Sequence, residues 1–126
     1  MNILAVDTTT KVASVCIMKD DKYFEKSISN EVTHSEKLLP LIDETLKKAS
    51  LNIKDIDMYA ALNGPGSFTG IRIGLATLKA FAMVNDKKIF SIPSDTAIAI
   101  CSKLGNYKKS NYFATLIDAK NSRVYY

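Results

Sequence analysis

The sequence predicts an α/β fold in which one sheet combines antiparallel and parallel strands. Within residues 2–28, three short apolar or alternating runs are joined by tight connections, which predicts an antiparallel meander. After this meander, amphipathic helical patterns alternate with short apolar runs, as they do where helices connect parallel strands. We therefore expect a layered domain in which helices cover both faces of the parallel part of the sheet.

Five strands are predicted before residue 100. They are expected at residues 2–6, 12–18, 23–28, 58–62 and 88–92. Asp20 and Asp21 form a turn signal between the second and third strands, and Pro93 ends the fifth.

The first predicted helix spans residues 33–49. Its apolar residues recur every three to four positions, at Leu38, Leu39, Ile42, Leu46 and Ala49. Thr33 and Glu36 have the spacing of a capping box at the start of this helix. Pro40 removes one backbone hydrogen bond, so we expect a kink between residues 36 and 40.

Two further helices and two further strands complete the prediction. The helices are expected at residues 70–84 and 94–103, with Ser94 capping the second of them. The strands are expected at residues 112–118 and 123–126, where they begin another meander. We therefore expect one lobe at residues 1–106 and the truncated start of a second lobe at residues 107–126.

Composition predicts a soluble globular chain. The 126 residues are 47% hydrophobic, and no apolar run approaches the ~20 residues of a membrane-spanning helix. The N-terminus lacks the basic region of a signal peptide, so we expect a cytoplasmic location. Cys16 and Cys101 lie in apolar runs without C-x-x-C spacing, which predicts buried thiols. The net charge of +4 is compatible with weak attraction to nucleic acid, but a solvated lysine surface is the favoured interpretation.

Glycine is concentrated between the fourth strand and the second helix. Four of the five glycines fall between Gly64 and Gly74. Ile71 stands where a P-loop needs lysine, and Thr69 stands where the dinucleotide-binding pattern needs its third glycine. Two interpretations stay open. The loop binds an anion at the helix N-terminus, or it is a tight turn in which Thr69 caps the helix.

Asp7 lies at the carboxyl end of the first strand, where open α/β sheets commonly bind ligands. A carboxylate there can hold a metal-bound water, although an Asx turn is the structural alternative. The candidate cofactor-binding residues are Asp7, Thr8, Gly64 and Gly66, in two loops that could face a nucleotide. Asp118 is a formal counterpart of Asp7 in the predicted strand at residues 112–118.

The residues needed for hydrolysis or metal binding do not form a recognisable pattern. His34 is the only histidine, so no H-x-x-x-H or H-E-x-x-H pair exists. Ser67 does not lie in a G-x-S-x-G elbow, and no second histidine could activate it. We therefore predict neither a catalytic residue nor a metal ligand.

Four segments together resemble the TsaB family, also called YeaZ and known earlier as glycoprotease-like or M22-like proteins. They are residues 3–9, residues 34–40 with their His-Ser and Leu-Leu-Pro, residues 64–74, and residues 117–125 with their Ile-Asp-Ala-Lys and Val-Tyr. The stretch GPGSFTGIRIG at residues 64–74 is the most specific of the four. The resemblance covers nearly the whole chain, but only about the first half of a usual family member.

The resemblance implies an actin-like or sugar-kinase-like ATPase lobe, with a ribonuclease H-like mixed sheet of five strands and helices on both faces. It also implies a non-catalytic partner of a TsaD-like enzyme that adds threonylcarbamoyl to the adenosine beside the anticodon of tRNA. The implied partners are TsaD itself, a TsaE-like ATPase and tRNA through the complex, a second copy when TsaD is absent, and no membrane. No cofactor is implied for the chain alone, and ATP or ADP is possible at the complex interface. An ATP-using phosphotransferase or ATPase is the alternative, and a metallopeptidase is a weaker one.

The resemblance further implies that the first two predicted helices contact the TsaD-like partner. The expected interface residues are His34, Leu38, Leu41, Thr69, Arg72, Leu75 and Phe81. Leu41, Phe81 and Met83 lie off the main apolar stripes, which favours a second apolar face on these helices. The alternative is that these three side chains complete one wide buried stripe.

Overall fold

The computed structural model describes residues 1–29, 34–105, 112 and 114–126. Its elements follow the predicted order of three strands, three helices alternating with two strands, and two final strands. They are β1 (Ile3–Asp7), β2 (Val12–Lys19), β3 (Lys22–Ser29), α1 (His34–Ala49), β4 (Met58–Leu62), α2 (Phe68–Val84), β5 (Lys88–Ile92), α3 (Ser94–Leu104), β6 (Ile117–Lys120) and β7 (Arg123–Tyr125). A short 3₁₀ helix at Ile53–Asp55 was not predicted.

The first five strands form one mixed sheet in the order β3-β2-β1-β4-β5. Strand β1 is central. Its Ile3 lies opposite Met18 of antiparallel β2 and opposite Met58 of parallel β4. Strands β4 and β5 are also parallel, whereas β6 and β7 form a separate antiparallel pair. The predicted α/β class with a mixed five-stranded sheet is therefore confirmed.

The hydrophobic core lies between one face of the sheet and helices α1 and α2. Alternate strand residues point into it, so Leu4 and Val6 of β1 are buried while Ala5 between them is only partly covered. Tyr59 of β4 is fully buried and stacks on Phe81 of α2, with 6.3 Å between the ring centroids. The hydroxyl of Tyr59 accepts a hydrogen bond from the Asn85 side chain, which closes the end of α2.

The opposite face of the sheet stays partly exposed. Phe90 of β5 is 56% exposed, and Ile98 of α3 is 45% exposed. Helices α1 and α2 both pack on the other face, and α3 leaves its own apolar side chains exposed. In the described part of the chain, helices therefore cover one face of the sheet and not, as had been expected, both faces.

Helix α1 begins at His34 and continues through Pro40 to Ala49. Thr33 lies outside the described residues, so its capping box with Glu36 stays a prediction, as does the kink. Pro40 has no backbone N–H, so the Glu36 carbonyl lacks its usual donor within the helix. Both residues lie on the exposed side of the helix.

Three local predictions were wrong. Ser94 does not cap α3, because Pro93 holds the cap position and the Ser94 hydroxyl is buried without a hydrogen-bond partner among the described residues. The strand predicted at residues 112–118 begins only at Ile117, since its partner β7 has three residues. Cys101 is exposed and Cys16 is half-buried, so neither is the buried thiol that was expected. In the described ranges, no helix combines the length and the apolar character needed to cross a membrane.

Candidate functional site

The candidate site lies where the β1–β2 turn meets the start of α2. Asp7 ends β1, and its Oδ1 atom accepts hydrogen bonds from the backbone N–H of Thr9 at 2.8 Å and from the Thr9 hydroxyl at 2.7 Å. These two bonds form the Asx turn that was the alternative to a ligand-binding carboxylate. One oxygen of the carboxylate is therefore engaged within the turn itself.

Thr8 lies beneath helix α2 and is buried. Its hydroxyl donates a hydrogen bond of 2.7 Å to the backbone carbonyl of Gly70, across 62 positions in sequence. The Thr8 side chain is therefore enclosed by protein in this structure, and its cofactor-binding role stays a prediction.

Three glycines allow the loop before α2 and the first turns of α2 to approach the β1–β2 turn closely. The Ser67 amide donates to the Thr9 carbonyl at 2.6 Å, and a Cβ atom added at Gly66 would lie 2.5 Å from that same oxygen. A Cβ atom at Gly70 would collide with the Thr8 carbonyl oxygen, and one at Gly74 would collide with the Thr8 hydroxyl. The glycine cluster thus serves helix–turn packing in this structure.

The start of α2 is capped by a different residue from the one in the tight-turn interpretation. The helix begins at Phe68, and Ser67 is the N-cap, with its hydroxyl accepting from the Gly70 amide at 3.2 Å. Thr69 is inside the helix and exposed, so it is not the cap that the tight-turn interpretation assigned. Gly64 lies at the start of the loop before the cap, and its φ of +104° is a backbone conformation that favours glycine.

The predicted interface residues separate into buried and exposed groups. Leu38 is 1% exposed and Leu41 is 7% exposed, so both belong to the core rather than to a free surface. Leu75 and Phe81 are half-buried against that core. Thr69 and Arg72 are exposed, and the side chain of His34 lies outside the described part of the structure. Leu41 is on the core side because the apolar stripe of α1 is wide, as the alternative interpretation held.

An exposed apolar surface on α2 was largely missed from the sequence. Phe68 is 74% exposed and Met83 is 83% exposed, and Ala76 and Ala80 lie exposed between them at helical spacing. The Arg72 guanidinium carbon lies 5.1 Å from the centroid of the Phe68 ring, within cation–π distance. We call these five residues the α2 stripe. Phe68 was missed because the predicted helix began two residues after it.

A shallow apolar depression of about 200 Å³ lies on the partly exposed face of the sheet. Its lining includes Ala5, Cys16, Ala60 and Leu62, with Asp7 at one side. Partial burial, and secondarily the negative charge of Glu25, raise the pKa of the Cys16 thiol. The described residues hold no group of three or more His, Cys, Asp or Glu side chains placed to share a metal ion.

Comparison with known proteins places this geometry in a family context. The family model of TsaD, described as tRNA N6-adenosine threonylcarbamoyltransferase, matches residues 28–126. The tRNA threonylcarbamoyladenosine biosynthesis protein TsaB of Haemophilus influenzae is 34% identical over 129 residues, which cover 100% of this chain and 52% of that protein. TsaB of Escherichia coli K12 is 30% identical, with 100% of this chain and 54% of that protein covered.

A threonylcarbamoyltransferase and a solved structure are also similar to this chain. The tRNA N6-adenosine threonylcarbamoyltransferase of Kosmotoga olearia is 30% identical over 108 residues, covering 73% of this chain and 33% of that protein. The structure of YeaZ from Pseudomonas aeruginosa superposes with a TM-score of 0.89 at 24% identity, covering 98% of this chain and 57% of that one. This likeness shows the fold. The chain spans about half the length of the curated TsaB relatives cited here.

Proposed function

This chain belongs to the TsaD and TsaB family of tRNA threonylcarbamoyladenosine proteins, and we propose that it acts as a non-catalytic partner subunit in the synthesis of that nucleoside. The observation that carries the proposal is the match to proteins named TsaB along the whole of this chain. This synthesis adds threonylcarbamoyl to the adenosine beside the anticodon of tRNA. A TsaD-type subunit performs the transfer, and this chain supports that subunit through a protein interface.

The α2 stripe is the surface proposed for this interface. It places an exposed aromatic side chain, an arginine and a methionine along one side of a helix of 17 residues. Aromatic residues and arginine are enriched among residues that dominate binding energy, and small residues between them let a second helix approach. Leu39 of α1, which is 53% exposed, is a further exposed apolar side chain on the neighbouring helix.

The proposed partner is a protein of the TsaD type. A TsaD-type relative is 30% identical to this chain over 73% of its length, so it has a region equivalent to much of this fold. Such a partner can present an equivalent helix, and two copies of this chain can pair in the same way when the partner is absent. A TsaE-like ATPase and tRNA are proposed to join through the TsaD-type subunit.

The interface is tested with Met83→Asp, which puts a charge into the α2 stripe. Light scattering after size exclusion is carried out on the chain alone and with the TsaD-like protein of the same organism. We expect a homodimer that becomes a heterodimer on mixing, and we expect Met83→Asp to raise the heterodimer Kd about tenfold or more. The matched control is Tyr23→Asp, since Tyr23 on β3 is also exposed and lies outside the α2 stripe. Equal binding by both variants would reject this surface.

The cellular role is tested separately. Deleting the encoded gene should lower the threonylcarbamoyladenosine content of total tRNA, measured by mass spectrometry of digested nucleosides. Returning the gene should restore that content. An unchanged content after deletion would reject a role in this pathway, whatever the binding experiment shows.

Nucleotide binding distinguishes the partner role from the ATPase alternative. We propose that the chain alone takes no cofactor and that ATP or ADP binds where the TsaD-type partner completes a site. The buried Thr8 and the engaged Asp7 carboxylate support this proposal. Calorimetric titration with ATP and ADP should give no heat of binding with the chain alone. Binding by the isolated chain would favour the ATPase alternative.

A further inference from the structure

The loop after β4 contains an Asn-Gly pair in an exposed position. Asn63 is exposed, and Gly64 follows it with φ +104°. Of the asparagines in the sequence, only Asn63 precedes glycine. Among the described residues, neither the Asn63 side-chain amide nor the Gly64 backbone N–H forms a hydrogen bond, so both reacting groups are free.

We propose that Asn63 is a site of spontaneous chemical modification by cyclisation onto the Gly64 amide. The Gly64 nitrogen attacks the side-chain carbonyl carbon of Asn63 and forms a new C–N bond. The bond from that carbon to the side-chain nitrogen breaks, and ammonia leaves with the proton from the Gly64 amide. Water then opens the five-membered imide at either carbonyl, which yields aspartate or isoaspartate. The absence of a Cβ atom on Gly64 leaves this approach unobstructed.

The loop's own hydrogen bonds make the isoaspartate product disruptive. The backbone N–H of Asn63 donates to the Ile92 carbonyl at 3.0 Å. The backbone carbonyl of Gly64 accepts from the backbone N–H of Ser94 at 2.8 Å. Isoaspartate inserts one additional carbon into the backbone between these two anchored groups. The two bonds can then no longer keep their spacing, and the segment leading to Ser67 and α2 shifts away from Thr9. Aspartate at the same position adds a negative charge but leaves the backbone length unchanged.

The test is peptide mapping by mass spectrometry after incubating the folded protein in mildly alkaline water enriched in heavy oxygen. We expect the peptide containing Asn63 to incorporate heavy oxygen severalfold faster than the peptides containing Asn85 or Asn121, and to separate into two products. Asn63→Gln is the matched control, because it keeps an amide but requires a larger ring, and its peptide should remain unmodified. Faster incorporation at Asn121, or a folded Asn63 that keeps its amide while the urea-denatured chain loses it, would overturn the proposal.

A second measurement concerns the consequence for the fold. The separated isoaspartate form should unfold at lower urea concentration than an Asn63→Asp variant. Equal midpoints for the two would reject the proposed shift of the loop. Neither measurement depends on the TsaD-type partner.

Discussion

At the scale of single residues, the close contact between α2 and the β1–β2 turn depends on glycine, which has no Cβ atom. Gly70 and Gly74 each face Thr8, where a single additional carbon would overlap an oxygen atom. Protein interiors are packed closely enough that such an overlap moves backbone rather than being absorbed locally. The hydroxyl of Thr8 then fixes the turn to the helix through Gly70.

Gly74→Ala should lower the free energy of unfolding by about 1–3 kcal/mol, because the new methyl group collides with the Thr8 hydroxyl. Urea denaturation followed by circular dichroism measures this change. Gly105→Ala is the control, since a Cβ atom there would meet its nearest neighbour at an ordinary 3.4 Å. Similar losses for the two variants would show that the close approach at Gly74 is not what matters.

Ser67→Ala should cost about 0.5–2 kcal/mol of stability, because it removes the hydroxyl that accepts from the Gly70 amide. Thr69→Ala, two residues later in the same helix, should change stability by less than about 0.5 kcal/mol. The comparison uses the same urea denaturation. A larger loss for Thr69→Ala than for Ser67→Ala would contradict Ser67 as the cap.

The raised pKa of Cys16 predicts a stability change in alkaline solution. The folded chain holds the thiol proton more tightly than the unfolded chain does. The stability that the protonated Cys16 thiol contributes is therefore fully present below the ordinary pKa of 9.0, and it is lost as the pH rises through the pKa of the folded chain. Cys16→Ala should therefore show a smaller fall in urea midpoint across pH 9 than the parent chain does. The Tyr59 pKa is raised too, by burial, so the test stays below its ordinary value of 10.0. An identical fall in both chains would contradict the prediction.

At the scale of secondary structure, α1 carries a wider buried side than its main apolar stripe indicates. Leu41→Ala should cost about 2–5 kcal/mol, the usual range for truncating a buried leucine. Leu39→Ala, on the exposed side, should change stability by about 0.5 kcal/mol or less. Thermal unfolding of the two variants distinguishes them, and a small effect of Leu41→Ala would return that residue to the interface.

Element order could be predicted from the sequence because each helix and strand has its own local period. The ends of strands were harder to predict, as the strand expected at residues 112–118 shows. A strand exists only as far as it is paired, and its partner β7 extends from Arg123 to Tyr125. Ser67 and Thr69 both carry hydroxyl groups near the helix start, so residue type alone could not decide between them.

The candidate site could be located from the sequence but not interpreted. The glycine cluster was visible, yet the group it approaches is Thr8, 62 residues from Gly70. Spacing within the loop carries no information about that distant contact. The same limit applies to Leu41 and Phe81, whose helical positions were compatible with either a core or an interface until the packing of α1 and α2 was known.

At the scale of the whole molecule, the final hairpin is separate from the five-stranded sheet in its strand pairing. A chain that ends at residue 106 should therefore keep the free energy of unfolding of the full chain within about 0.5 kcal/mol, because removing β6 and β7 leaves every pairing of the larger sheet intact. Circular dichroism during denaturation measures this. A large loss would place residues 107–126 within the first lobe and contradict the predicted boundary.

The central position of β1 has a consequence for synthesis on the ribosome. Strands β2 and β3 follow it at once through short turns, so the antiparallel meander can form while the chain is still being made. The other edge of β1 must wait for β4, which begins at Met58. Until β4 has been synthesised, the apolar strand β1 presents one edge of unpaired backbone N–H and C=O groups, and such an edge favours binding by chaperones and aggregation.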